Sequence, residues 1–102
     1  MLVERPVKRI TTTIKREFLA EIVAGSKTTE YRDLKPYWAK RLEKVAPPPF
    51  EMRLINGMRK RNPEVTVLID RVTVSRANGR YQLHIAKVLR YLNWDKRQRR
   101  PK

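Results

Sequence analysis

Apolar and polar residues recur along this chain with a period that changes several times, and each change marks an element. Lys8 to Ile14 sets isoleucines around three consecutive threonines, a β-branched run that predicts a first strand. From Arg16 to Ala24 the period becomes helical. Phe18, Leu19, Ile22 and Val23 fall on one stripe, while Arg16, Glu17 and Glu21 face water. Gly25 follows at the position where a left-handed residue terminates a helix. Lys27 to Arg32 is β-favouring again, through Thr28, Thr29 and Tyr31. Pro36 opens a second helix, where its missing N–H costs nothing, and Trp38, Leu42 and Val45 supply its buried face. Pro47, Pro48 and Pro49 stop that helix and form a stiff connector.

The remainder alternates with a period of two. Phe50, Met52 and Leu54 alternate against Glu51 and Arg53. Val65, Val67 and Ile69 start a strand that can run on to Val74. Asn78-Gly79 is a hairpin signal, after which Tyr81, Leu83 and Ile85 resume the pattern and Val88 to Leu92 extend it. Five or six strands with two short helices near the N-terminus predict an α+β fold, a small and partly closed β-barrel. Residues 1–94 read as one domain. Residues 95–102 carry five basic residues against one acidic one and read as a disordered basic tail.

Charge sharpens this picture. The 102 residues include 25 Lys and Arg against 10 Asp and Glu, a net charge of +15. Such an excess repels itself when folded and favours a polyanionic partner, with nucleic acid the first expectation and RNA preferred. An anionic membrane is the weaker alternative, because the chain has no long apolar run and no basic helix with a wide apolar face. The absence of cysteine excludes disulfides, Cys-ligated zinc and thiol catalysis. A single histidine, His84, excludes a His-based metal site and a two-histidine ribonuclease, so no metal or cofactor is expected. His84 itself reads as a satisfied strand residue. Met1 to Pro6 is mixed and short, unlike a signal peptide, which predicts a cytosolic protein. A small barrel with this charge is most simply a monomer.

Candidate chemistry concentrates in Gly25-Ser26-Lys27-Thr28-Thr29-Glu30-Tyr31-Arg32, directly after the first helix. On a strand Glu30 and Arg32 share one face, and Lys27 joins them only if it lies in the turn before the strand. Lys27 and Arg32 suit a phosphate or a forming oxyanion, Arg32 by planar bidentate contact and Lys27 as a point charge. Glu30 has the chemistry of a general base; paired with Arg32 or Lys27 it instead suits a structural role. Lys27 and Glu30 are therefore the candidate catalytic pair. Strand parity turns Tyr31 towards the barrel interior, although its ring could also stack on a base. Trp38 reads as core ahead of base stacking. Arg59-Lys60-Arg61, in a loop between strands, and Lys96, Arg97, Arg99 and Arg100, in the tail, are candidate phosphate contacts beside Lys27 and Arg32.

The same eight residues resemble the G-x-K-x-x-E-x-R signature of ASCH domains. The order of helix, motif, Trp-bearing helix (Tyr37-Trp38-Ala39-Lys40-Arg41-Leu42), strand and the Ile55-Asn56-Gly57-Met58-Arg59-Lys60 turn is similar to theirs across most of the chain. The resemblance implies a PUA-like barrel that binds RNA or acts on it, with the motif lining a cleft. Some members look like ribonucleases. A branch of small ASCH proteins looks like N4-acetylcytidine amidohydrolases, with a motif reading G-x-K-T-x-T-x-R-D. Lys27, Thr28, Arg32 and Asp33 match that form, but Glu30 stands in the place of the nucleophilic threonine, and a carboxylate does not replace a hydroxyl nucleophile. Three functions follow as expectations: an RNA-binding module, a hydrolase using Lys27 and Glu30, or an adaptor for an acidic protein.

Overall fold

A computed structural model describes residues 7–102; the Met1 to Pro6 stretch read above for targeting lies outside them. Strand β1 is Arg9–Thr13, helix α1 Arg16–Ala24, strand β2 Thr29–Asp33 and helix α2 Pro36–Val45. Strands β3 (Phe50–Ile55), β4 (Glu64–Ser75) and β5 (Arg80–Leu92) follow, then two short strands, β6 (Trp94–Asp95) and β7 (Arg100–Pro101). The fold is the α+β, partly closed barrel that the alternation predicts. Five strands form one mixed sheet in the order β1-β3-β4-β5-β2, with β1 parallel to β3 and the other pairings antiparallel.

Both helices follow from local chemistry. Gly25 closes α1 with φ 87°, and its N–H donates to Ile22, the left-handed termination that only glycine adopts without strain. Pro36 sits in the first turn of α2, where no N–H is needed. Leu19, Ile22 and Val23 of α1 and Trp38, Leu42 and Val45 of α2 are buried against the concave face of the sheet. That face supplies Ile10, Phe50, Met52, Leu54, Val65, Val67, Ile69 and Leu83, alternate residues of their strands as a pleated surface requires. Phe18 departs from the expected stripe: it lies at the stripe's margin and is 37% exposed.

Strands β4 and β5 are long enough to curl, and register shifts near Thr66/Val67 and between Leu68 and Arg71 bend them. One half of β4 pairs with β3, and its other half meets the part of β5 that carries β2. The sheet therefore rolls up and brings its two edge strands, β1 and β2, towards each other. On the outer surface Arg53 grips Glu64 through two bonds of 2.7 and 2.8 Å, tying β3 to β4. This hydrogen bonding holds the Glu64 carboxyl below its ordinary value of 4.5, against the burial that would raise it.

The tail is the main correction to the sequence reading. Residues 94–101 form a hairpin, β6 paired with β7, in place of a disordered segment, and the Lys102 N–H donates to the Asn93 carbonyl. Two local features make it fold. Trp94 is 1% exposed and belongs to the main core, so it pins the segment to the barrel. Asp95 Oδ1 accepts the Gln98 N–H at 3.0 Å and closes the turn. The high charge of the segment decorates a structure that one aromatic side chain anchors. Among the described residues no helix is long and apolar enough to cross a membrane.

Trp94→Ala is expected to lower stability by about 3–5 kcal/mol, the usual cost of deleting a buried aromatic side chain. Urea unfolding of the two proteins measures it; a loss below about 1 kcal/mol would mean that the hairpin is not docked.

Candidate functional site

The carboxylate of Glu30 is 4% exposed, on the inward face of β2. Its Oε2 accepts a 2.8 Å bond from Arg32 Nη2. Its Oε1 accepts the Tyr31 backbone N–H at 3.1 Å and lies 3.5 Å from Lys27 Nζ. Lys27 reaches it as expected, from the turn that precedes β2, and its ammonium also donates to the Thr29 carbonyl at 2.7 Å. Lys27 Nζ further sits 5.1 Å from the Phe18 ring centre and 4.9 Å from that of Tyr31. The motif is thus one compact cluster: a buried anion, two cations and two aromatic faces.

Backbone direction explains why the cluster forms here. Ile85 donates to the Thr28 carbonyl and Leu34 to that of Gly79, so even-numbered residues of β2 point their peptide groups at β5. Thr29, Tyr31 and Asp33 turn theirs to the open edge. The Thr29 carbonyl and the Tyr31 N–H on that edge are the groups that Lys27 and Glu30 satisfy. The same parity holds in β1, where the Lys8 carbonyl and the Ile14 N–H bond to β3 and the odd residues face outwards. Arg32 Nη2 donates to the Thr13 carbonyl at 2.9 Å, and Arg41 of α2 to the Thr11 carbonyl at 2.6 Å. The two open edges of the barrel are therefore capped and joined by charged side chains. Unpaired edges are normally protected in some such way. Arg32 is steadied from below by Trp38, whose buried ring lies 4.9 Å from the guanidinium carbon.

The gap between the edges is a cleft of about 480 Å3, lined by Thr13, Ile14, Lys15, Phe18, Glu30, Tyr31, Arg32 and Asn56. Tyr31 stands at its rim and is 45% exposed, contrary to the inward orientation read from strand parity. Glu30 takes the inward position on β2, so its neighbour Tyr31 faces out. Arg80 of β5 lies 5.7 Å from the outer Tyr31 ring. Asn56 is positioned from both sides. It donates to the Ile14 carbonyl at 3.0 Å and accepts from Arg16 Nε at 3.2 Å.

The structure brings Lys27, Glu30 and Arg32 together and places the other candidates around them. Arg59, Lys60 and Arg61 are exposed on the loop that leaves the cleft at Asn56. Lys96, Arg97 and Arg100 are exposed on the β6–β7 hairpin, and Arg99 lines a groove shared with Lys15. His84 lies on β5, its Nε2 2.8 Å from Thr73 Oγ1. Thr13, Lys15, Phe18 and Asn56 are lining residues with no signal in the motif, because the approach of β1 to β2 creates them. A larger hollow of about 570 Å3 lies between α2 and the β4–β5 hairpin, against Leu34, Val74 and Tyr81, and holds none of the motif. Among the described residues no group of three or more His, Asp or Glu side chains could hold a metal ion.

Chemically, both oxygens of Glu30 are engaged by protein donors, and the Lys27 ammonium is divided between a carbonyl, a carboxylate and two rings. The cleft offers aromatic faces, an amide, the exposed Lys15 and the anchored Arg32. Comparison of the chain with family models, with characterised proteins and with solved structures yields no match.

Glu30→Ala leaves two cations half-buried without their anion and uncovers the β2 edge. It should cost about 3 kcal/mol or more in urea unfolding. Asp33→Ala, which removes a 3.8 Å pair with Lys35 between well-exposed side chains, should change nothing measurable. Equal effects of the two substitutions would contradict the seam described here.

Proposed function

We propose that this chain is an RNA-binding protein of the ASCH type, a PUA-like barrel that receives a nucleobase of single-stranded RNA in the cleft between β1 and β2. The observation that carries the reading is the lining of that cleft. The exposed rings of Phe18 and Tyr31 flank it, Asn56 presents a positioned amide, and Lys15 and Arg32 supply positive charge. A volume of about 480 Å3 is ample for a base with its sugar. Single-stranded nucleic acids are held by this combination of aromatic stacking and cationic surroundings. Beyond its bonds to Ile14 and Arg16, the Asn56 amide keeps one proton and one lone pair with which to meet the polar edge of a base.

The rest of the molecule supports the same partner. A net charge of +15 gives the surface a strong positive potential, and the exposed Arg59, Lys60 and Arg61 spring from the rim of the cleft. Binding is favoured over hydrolysis by the state of Glu30, whose oxygens already accept from Arg32, Tyr31 and Lys27. Lys27 and Glu30 act as the frame of the site, and Arg32 joins the frame to the ligand. The protein works in the cytoplasm as a monomer, without a cofactor.

Fluorescence anisotropy with a labelled single-stranded RNA tests this. Tyr31→Ala should weaken binding about tenfold, the order expected when one stacking platform is lost, while Tyr31→Phe retains it. The RNA should be recovered intact. Equal affinity of Tyr31→Ala and the unsubstituted protein would remove the cleft from the binding surface. RNA cleavage that disappears in Glu30→Gln would make the protein a ribonuclease.

A further inference from the structure

A groove of about 430 Å3 runs beside the cleft, between the start of α1 and the β6–β7 hairpin. Lys15, Arg16, Glu17, Ala20, Trp94 and Arg99 line it. Lys15 lines both the groove and the cleft, so the two are neighbours across one side chain. Arg16 reinforces the boundary through its bond to Asn56, which belongs to the cleft. Three cations thus surround the groove against one carboxylate. Trp94 is wedged into the core and fixes the hairpin here, holding Arg99 close to other positive charges. Like charges gathered in this way repel each other, and a polyanion relieves the repulsion.

The backbone carries a second, independent sign. Among the described residues three non-glycine positions have positive φ: Asn93 at 57°, Arg61 at 59° and Arg99 at 55°. Asparagine tolerates the left-handed region through its short polar side chain. Arginine lacks that short polar side chain; Arg99 takes the left-handed position that ends the β6–β7 loop, and glycine would fit either turn with less strain. Each stands in one of the two basic loops, Arg61 on the loop leaving the cleft at Asn56 and Arg99 in the groove. Strained backbone conformations concentrate where a side chain has work to do on a ligand.

We infer that the β6–β7 hairpin is a preformed part of the RNA site, and that Arg99 with Lys15 holds the phosphodiester backbone of the strand as it leaves the cleft. This rests on the cleft being the nucleobase site, and it adds the path of the strand. The hairpin acts through placement as well as charge. A cation elsewhere on the surface strengthens binding only through the general field, whereas Arg99 meets a phosphate at a fixed distance from the stacked base. Phosphate contacts of this kind set the register of a strand that base contacts then read.

Arg99→Gly separates this role from a structural one, because glycine suits the left-handed turn while the guanidinium is lost. The test uses a labelled single-stranded RNA of about eight nucleotides, titrated at several salt concentrations. Tyr31→Ala and Lys87→Ala, the latter removing one exposed cation of β5, are measured alongside. Arg99→Gly should melt no lower than the unsubstituted protein and bind about fivefold or more weakly. Its plot of log affinity against log salt should be shallower by about 0.7, the loss of one phosphate contact on a single strand. Lys87→Ala should change affinity much less. Normal binding by Arg99→Gly, beside weak binding by Tyr31→Ala, would overturn the groove while leaving the cleft. Equal losses in Arg99→Gly and Lys87→Ala would also overturn it, since charge alone would then suffice. Unchanged affinity in Tyr31→Ala would refute the cleft reading, and the strand path with it.

Discussion

One buried carboxylate closes this barrel. Glu30 accepts from Arg32, from its neighbour's backbone N–H and from the Lys27 ammonium, and through Arg32 it reaches the Thr13 carbonyl on the opposite edge strand. In a closed barrel a ladder of peptide hydrogen bonds would do this. Here side chains replace the ladder, and they impose a constraint that a ladder does not. A buried carboxylate is tolerated only while its cations remain, and the carboxylate offsets the charge of Arg32 and Lys27, which the Thr13 and Thr29 carbonyls also hold. The three residues are therefore a unit, and the spacing G-x-K-x-x-E-x-R is the spacing that lets them meet. Gly25 ends the helix, Lys27 folds back from the turn, and Glu30 and Arg32 share the inward face of β2.

The cleft is a consequence of this closure. Side chains span a wider gap than peptide groups, so the seam leaves a hollow between β1 and β2 large enough for a base. Its inner wall is charged because the seam is charged, and its rim is aromatic because Tyr31 must face out when Glu30 faces in. Phe18 and Tyr31 on either side of Lys27 serve two ends at once, shielding the ammonium and presenting flat surfaces to the outside. Trp38 plays the matching role beneath Arg32, and its burial limits how far the guanidinium can move. The same residues thus hold the fold together and shape the walls of the cleft.

Much of this was legible in the residues. The helices follow from their apolar stripes together with Gly25 and Pro36, and the long strands from strict alternation through Phe50, Met52 and Leu54 and through Val65, Val67 and Ile69. The meeting of Lys27, Glu30 and Arg32 was legible too, because it depends on local spacing. What escaped was non-local. Thr13, Lys15 and Asn56 line the cleft because the register shifts of β4 and β5 roll β1 towards β2, and no local pattern reports that approach. Strand parity shows that Tyr31 and Glu30 face opposite ways but not which of them faces inwards, and on β2 the ion pair takes the interior. Charge dominates the composition of the basic tail, while the residues that fold it are Asp95, its first, and Trp94, just before it.

Glu30 covers the open edge of β2, and the Tyr31 amide reports it directly. That amide faces away from the β5 ladder, so without Glu30 it would exchange with solvent as a free edge group does. Native-state hydrogen exchange resolved at single residues compares it with the Leu34 amide, which donates to the Gly79 carbonyl just beyond the paired ends of β2 and β5. The account predicts that Tyr31 exchanges about as slowly as Leu34. Exchange of Tyr31 at the rate of an unprotected amide, with Leu34 protected, would contradict it.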